Sequence, residues 1–187
     1  MKQRKILFIL VAVLMASLAC TIFTGGPEFP DAPIPVSTEA VNSLREEIKT
    51  AVEAGAQSGV VTLFITETQL TSYLAFKFQA DESPMLTDPQ VYLRDGQMRI
   101  YGKAARGVFT ANVGIVLSVG LDDQGVPQLQ LISADFGPFP LPSGLNEAIT
   151  AIIEEAYTGA LGPIATGFRI RSITIADGVM AIVGQIH

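Results

Sequence analysis

The sequence predicts an α+β fold in which a curved antiparallel sheet wraps two or three amphipathic helices within a single module. Three observations carry this expectation. Residues 109–121 alternate with period two over thirteen positions, the mark of a strand with one buried face. Two Asp-Gly pairs, Asp95-Gly96 and Asp177-Gly178, each lie between apolar runs, the strongest short signal for a two-residue hairpin. Stretches following Ser37, Thr66 and Ser143 space apolar residues three and four apart, as helices with one buried stripe do.

In chain order, residues 1–19 read as an export signal. Lys2, Arg4 and Lys5 precede an apolar run of eleven residues, Ile6 to Ala16. That run rises roughly 16 Å as a helix, about half of a bilayer's hydrocarbon thickness, so it suits a cleaved signal better than a permanent span. Cys20, the only cysteine, follows Ser17-Leu18-Ala19. A lone cysteine just after a signal region predicts a bacterial lipoprotein, acylated at Cys20 and held on the outer face of the cell membrane or another envelope membrane. A single thiol has no disulfide role in an exported chain. Ser17-Leu18-Ala19 also satisfies ordinary signal cleavage, so plain secretion and an uncleaved anchor stay open.

Residues 20–36 carry Gly25, Gly26, Pro27, Pro30, Pro33 and Pro35. They are expected to form a poorly packed tether reaching roughly 50 Å if stretched. Residues 37–187 form the single domain. Its first helix starts after Ser37 or Thr38, carries the stripe Val41, Leu44, Ile48 and Val52, and is expected to end at Gly55 and Gly59. Val60 to Ile65 is a short strand. Thr66 and Gln69 fit a capping box opening a second helix that runs through Leu70, Tyr73 and Leu74 to about Phe78. Strands follow on both sides of Asp95-Gly96, then the long strand 109–121, a turn at Asp122 to Gly125, and a return strand from Gln128 to Phe136. Gly137 to Pro142 interrupts the sheet. A third helix after Ser143 would turn Leu145, Ile149, Ile152 and Ile153 inward, and two last strands meet at Asp177-Gly178. Residues 91–104 and 173–186 echo each other at a spacing of 82, with Asp-Gly, Met, Ile and Gly in matching places. Duplication of a helix-plus-hairpin unit and convergence on a good hairpin both account for the echo.

Composition narrows the function classes. Residues 1–19 hold three of the twelve Lys and Arg and none of the eighteen Asp and Glu, leaving nine cations against eighteen anions. That balance argues against a nucleic-acid partner. The only histidine, His187, is the last residue, a poor place for a triad or metal site. No phosphate-binding glycine loop or nucleophile elbow is present. Arg169 and Arg171 read as a solvated strand face. Asp81, Glu82 and Asp88 lack EF-hand spacing, and Glu154 and Glu155, adjacent on a helix, do not face each other. No catalytic residue, metal or cofactor is therefore expected.

The apolar face of the long strand is the main candidate for binding. Phe109, Ala111, Val113, Ile115, Leu117 and Val119 would line one wall of a groove, covered by the helices beginning near Ser37 and Ser143, the latter through Leu145, Ile149 and Ile152. An acyl chain would suit such a groove, and an ordinary filled core would suit the same pattern. Phe136, Phe139 and Leu141 read as plugging the end of the core. Glycines inside the strands, Gly102, Gly114 and Gly120, mark bends or close backbone approach.

The phrase Ile65-Thr66-Glu67-Thr68-Gln69-Leu70-Thr71-Ser72-Tyr73-Leu74 resembles bacterial envelope proteins of the tubular lipid-binding (TULIP-like) type. The Leu-x-Asp-Gly-x-Met-x-Ile-x-Gly hairpin from Leu93 to Gly102, followed by a long alternating strand, is similar as well. The resemblance covers about residues 60–187 and rests on structural rather than chemical motifs. It implies a helix cradled by a curved antiparallel sheet with a lipid between them. The reading is thus a non-catalytic, membrane-anchored lipoprotein that binds a hydrophobic ligand. The alternative is a structural or protein-interaction lipoprotein with a filled core, its protein partner unspecified by the sequence.

Overall fold

The computed structural model describes residues 21–30, 32–81, 84–122, 127–143, 145, 151 and 168–186. Strand β1 spans Ile22–Phe23, helix α1 Thr38–Ser58, β2 Val60–Thr66, helix α2 Glu67–Gln79, β3 Thr87–Arg94 and β4 Gln97–Arg106. Then come β5 at Phe109–Leu121, β6 at Pro127–Asp135, β7 at Phe168–Ala176 and β8 at Val179–Ile186. The fold is α+β: among the described residues, the two helices above pack with strongly curled β-structure. One sheet runs β1-β5-β4-β3, with β6 also on β5, and the other runs β2-β8-β7. β1 and β6 share one edge of β5. β1 lies parallel against Phe109-Thr110, and β6 lies antiparallel against Gly114 to Leu121.

The local chemistry explains the elements. Ser37 caps α1, its hydroxyl accepting from the Ala40 amide. Gly59 ends the helix at φ 73°, donating its amide to the Gly55 carbonyl. Gly55 is therefore inside the helix and buried, not a terminator, and α1 runs 21 residues, roughly 31 Å. Thr66 and Gln69 form the full capping box of α2. Both Asp-Gly pairs are hairpin tips with positive φ at both positions: 54° and 74° at Asp95-Gly96, 50° and 82° at Asp177-Gly178. This is the mirror-image turn that matches strand twist. Gly107, at φ 61°, turns β4 into β5.

The two echoing hairpins match in detail. Leu93 and Ile175 are buried before the turn, Met98 and Met180 after it, and Gly102 and Gly184 further on. Each first strand has a register shift near its start, between Thr87 and Gln90 and between Ile170 and Ser172.

One core serves both sheets. It joins Leu44 of α1, Leu63 and Ile65 of β2, Leu74 of α2, Val91 and Leu93 of β3, Val113 to Leu117 of β5, and Ile170 to Ile182 of the last hairpin. α1 does not lie along β5, as its stripe suggested. It packs on β2 and α2, while β5 meets β7. The single-residue connection at Gly59 folds α1 straight back on β2.

α2 closes the free edge of β3. Within the β3–β4 hairpin, Val91 and Leu93 turn their amides away from β4. The Val91 amide donates to Thr71 Oγ1 at 2.9 Å and the Leu93 amide to Glu67 Oε1 at 2.7 Å. The match is geometric. One helical turn from residue 67 to 71 rises about 6 Å, and two strand residues span about 6.8 Å. The next strand position is Pro89, which has no N–H, and the next helix position is Ala75, which has no acceptor. The two series therefore end together. Glu67 also pairs with Arg94, and its amide donates to the Gly178 carbonyl, while the Gly178 amide donates to Leu93. The tip of the second hairpin is thereby bonded to the end of β3.

Replacing Thr71 with Val keeps the shape but orphans the buried Val91 amide. The expected cost is about 1–3 kcal/mol, read as a lower midpoint in urea denaturation with an unchanged m value.

Candidate functional site

The long strand is present over the thirteen residues expected, Phe109–Leu121. Its apolar face is sealed in the middle: Ala111, Val113, Ile115 and Leu117 are each 3 % exposed or less. Phe136 and Leu145 are buried in the same core. Leu141 is exposed. Phe109 is exposed and lies outside this wall. Its place beside the Gly107 turn puts it past the last covering element. Val119 and Leu121 are only partly buried, as are Leu129 and Leu131 of β6. Val119 pairs with Leu129 and Leu117 with Leu131, so a contiguous apolar surface continues past the sealed portion toward the end of the β5–β6 hairpin. Ile149 and Ile152, expected on the opposite wall, lie outside the described residues, as does Cys20.

A register shift between Val116 and Leu117 makes Ile132 the extra residue of β6, and Ile132 is exposed. The bulge explains why the alternation of β6 breaks there.

The opposite, outer face of the sheet is crossed by residues 21–30 and 32–36. These were expected to be a loose tether; instead they form a strap. From β5 to β3 it makes a contact at each strand. The Asn112 amide donates to Gly25, and Asn112 Nδ2 donates to Pro27 at 3.0 Å. The Phe29 ring meets Tyr101 on β4 with centroids 5.9 Å apart. Tyr92 on β3 donates its hydroxyl to Ala32 at 2.9 Å. The Gln90 side chain both accepts from the Ile34 amide and donates to the Ile34 carbonyl. The Ser37 amide then donates to the buried Ser72 hydroxyl on α2. Gln90 and Tyr92 of β3, Tyr101 of β4 and Asn112 of β5 thus form one docking track.

Two strand glycines mark close approach on the two faces. A Cβ on Gly114 would sit 3.2 Å from Pro27 of the strap, and one on Gly102 would sit 2.5 Å from the buried Leu86 side chain. Within the strap, a Cβ on Gly26 would sit 2.2 Å from the Asn112 carbonyl oxygen, so only glycine fits there.

Among the described residues, no group of three or more His, Cys, Asp or Glu is placed to hold a metal. Asp88 pairs with Lys103 at 2.9 Å and Asp95 with Arg99 at 2.8 Å, both at the surface. Arg171 donates to Gln185. The Tyr92 hydroxyl is pushed above its ordinary range chiefly by burial, with the negative field of Glu67 and the neighbouring Tyr101 adding to the shift. It is thus a protonated donor to the strap rather than an acid or base near neutrality.

Comparison with protein-family models and with curated proteins finds no match.

Two predictions follow from this geometry. Tyr92 holds its proton longer folded than unfolded, so its contribution is complete below pH 10 and is lost as pH rises through the raised folded value. Tyr92→Phe is expected to flatten the alkaline limb of a melting-temperature profile above pH 10, while lowering stability at pH 7 through the lost strap bond. Val113→Asp places an unpaired charge at a sealed position and is expected to unfold the domain or lower its midpoint severely. Asp at the partly covered Val119 should cost visibly less by the same chemical denaturation.

Proposed function

We propose that the chain is a membrane-anchored, extracytoplasmic lipoprotein that binds a hydrophobic ligand, an acyl chain or similar apolar molecule, without catalysis. The observation that carries this reading is the unbroken apolar surface of β5 and β6. It runs from the sealed stretch Ala111–Leu117 to the partly covered Val119, Leu121, Leu129 and Leu131. An apolar chain laid against those four side chains would complete their burial, each buried CH₂ contributing about 0.8 kcal/mol. The curled sheet with helices packed on it is compatible with the TULIP-like architecture suggested by the Thr66–Leu74 phrase and the Leu93–Gly102 hairpin.

Anchoring rests on the sequence of residues 1–20: a basic start, a short apolar run and the lone Cys20. Among the described residues no helix is long and apolar enough to cross a membrane.

A second reading, a structural or protein-interaction lipoprotein, is favoured by the sealing of Ala111 to Leu117. That stretch leaves no open groove along the middle of β5.

Lipid extraction followed by mass spectrometry separates the two. A bound lipid recovered in near-stoichiometric yield, and lost on Leu129→Gln/Leu131→Gln substitution, supports the ligand reading. Lipid-free protein that takes up no fatty acid in a fluorescent displacement assay supports the filled core. For the anchor, Cys20→Ala should move the protein from the membrane fraction to the soluble fraction and abolish incorporation of labelled palmitate. Unchanged retention and unchanged mass would refute acylation at Cys20.

A further inference from the structure

Four large apolar side chains gather at one end of the sheet. Ile22 and Phe23 of β1, Val108 of the β4–β5 turn and Phe109 of β5 are each between 44 % and 61 % exposed. They are held together by backbone pairing. The Ile22 amide donates to the Val108 carbonyl at 2.7 Å, and Ile22 sits opposite Phe109 in register. Such a cluster is unusual on a free surface. Its position says what covers it. Only Thr21 separates Cys20 from β1, and consecutive Cα atoms are about 3.8 Å apart. Whatever holds residue 20 at a bilayer therefore holds Ile22 within about 8 Å of the same point, and the patch with it. The strap contacts remove the slack that a free tether would provide.

We propose that Ile22, Phe23, Val108 and Phe109 seat the domain directly on the bilayer, with the β4–β5 turn dipping into the headgroup region. This rests on the anchored reading above and adds an orientation to it. The seat works through apolar area rather than charge, because the chain beyond residue 19 carries nine cations against eighteen anions. The one charged residue in segment 105–110 is Arg106, which is exposed and positive, the sign an anionic leaflet tolerates at its surface. The far end of β5 then points away from the membrane. Gln128, paired with Gly120, is eleven strand residues from Phe109, about 36 Å.

The protein has no tryptophan, so a single introduced indole reports depth. Full-length, host-processed Val108→Trp and Gln128→Trp are reconstituted into phosphatidylcholine vesicles with and without acyl-brominated phosphatidylcholine, and vesicle flotation is measured alongside fluorescence. Phe23→Trp repeats the measurement at a second seat position should Val108→Trp fold poorly. The proposal expects the protein to float with the vesicles. Val108→Trp should emit to the blue and lose most of its intensity to the brominated lipid, while Gln128→Trp should do neither. Flotation with both indoles unquenched, or both quenched alike, overturns the seat and leaves the anchor standing. Protein that does not float overturns the anchor and the seat together.

Discussion

The fold depends on how the free edge of β3 is satisfied. An edge strand exposes every second amide, and an unpaired buried amide is costly. Here the acceptors come from a helix, because Glu67 and Thr71 stand one turn apart and match the two-residue period of the strand. The same carboxylate holds Arg94, and the same helix start receives the tip of the last hairpin through Gly178. One turn of α2 thus terminates one sheet and attaches the other. Gln69 extends the junction to α1 by donating to the Ser43 hydroxyl, and Ser72 receives the end of the strap. Three buried polar residues in a helix of thirteen would be a liability in a plain amphipathic helix; here each fulfils a bond that another element requires.

The strap makes the larger sheet two-sided. Its inner face is apolar and closed by the second hairpin, and its outer face carries tyrosine, asparagine and glutamine matched to backbone groups of residues 25–34. An antiparallel sheet normally leaves such a face to water. Covering it with the N-terminal segment couples the position of residue 21 to the registry of β3, β4 and β5.

Much of this was legible in the sequence, and what was missed has a common cause. Local chemistry was readable: the Ser37 cap, the Thr66–Gln69 box, the Asp-Gly tips and the full length of β5 all follow from neighbours in the chain. Tertiary choices were not. Pro27, Phe29 and Gly26 read as tether because their composition favours extended chain. The strap is indeed extended, but nothing local says that Tyr101 and Asn112 wait for it. Gly55 read as a stop, since its burial inside α1 depends on what packs beside it. Glu67 was visible only as part of a cap. The candidate wall was half legible: alternation located Ala111 to Leu117, but could not show that β5 would meet β7 rather than α1, nor that Phe109 would stay exposed. Gly114 carried part of a signal, since a glycine inside a strand marks close approach, but Pro27, which approaches it, lies 87 residues away in the chain.

The strap also constrains the order in which the chain can assemble. Its partners lie 56 to 87 residues further along, so a chain made from its N-terminus presents the strap long before β3 to β5 exist. Contacts of that separation carry a large loop-closure cost and form late. The N-terminal strap is therefore the last segment to settle, and a nascent domain spends its early life with a slack N-terminus that is taken up only when the third, fourth and fifth strands are in register. A protease or chaperone acting on the folding chain would meet two successive substrates: first an extended, proline-spaced peptide, then a surface from which that peptide has disappeared.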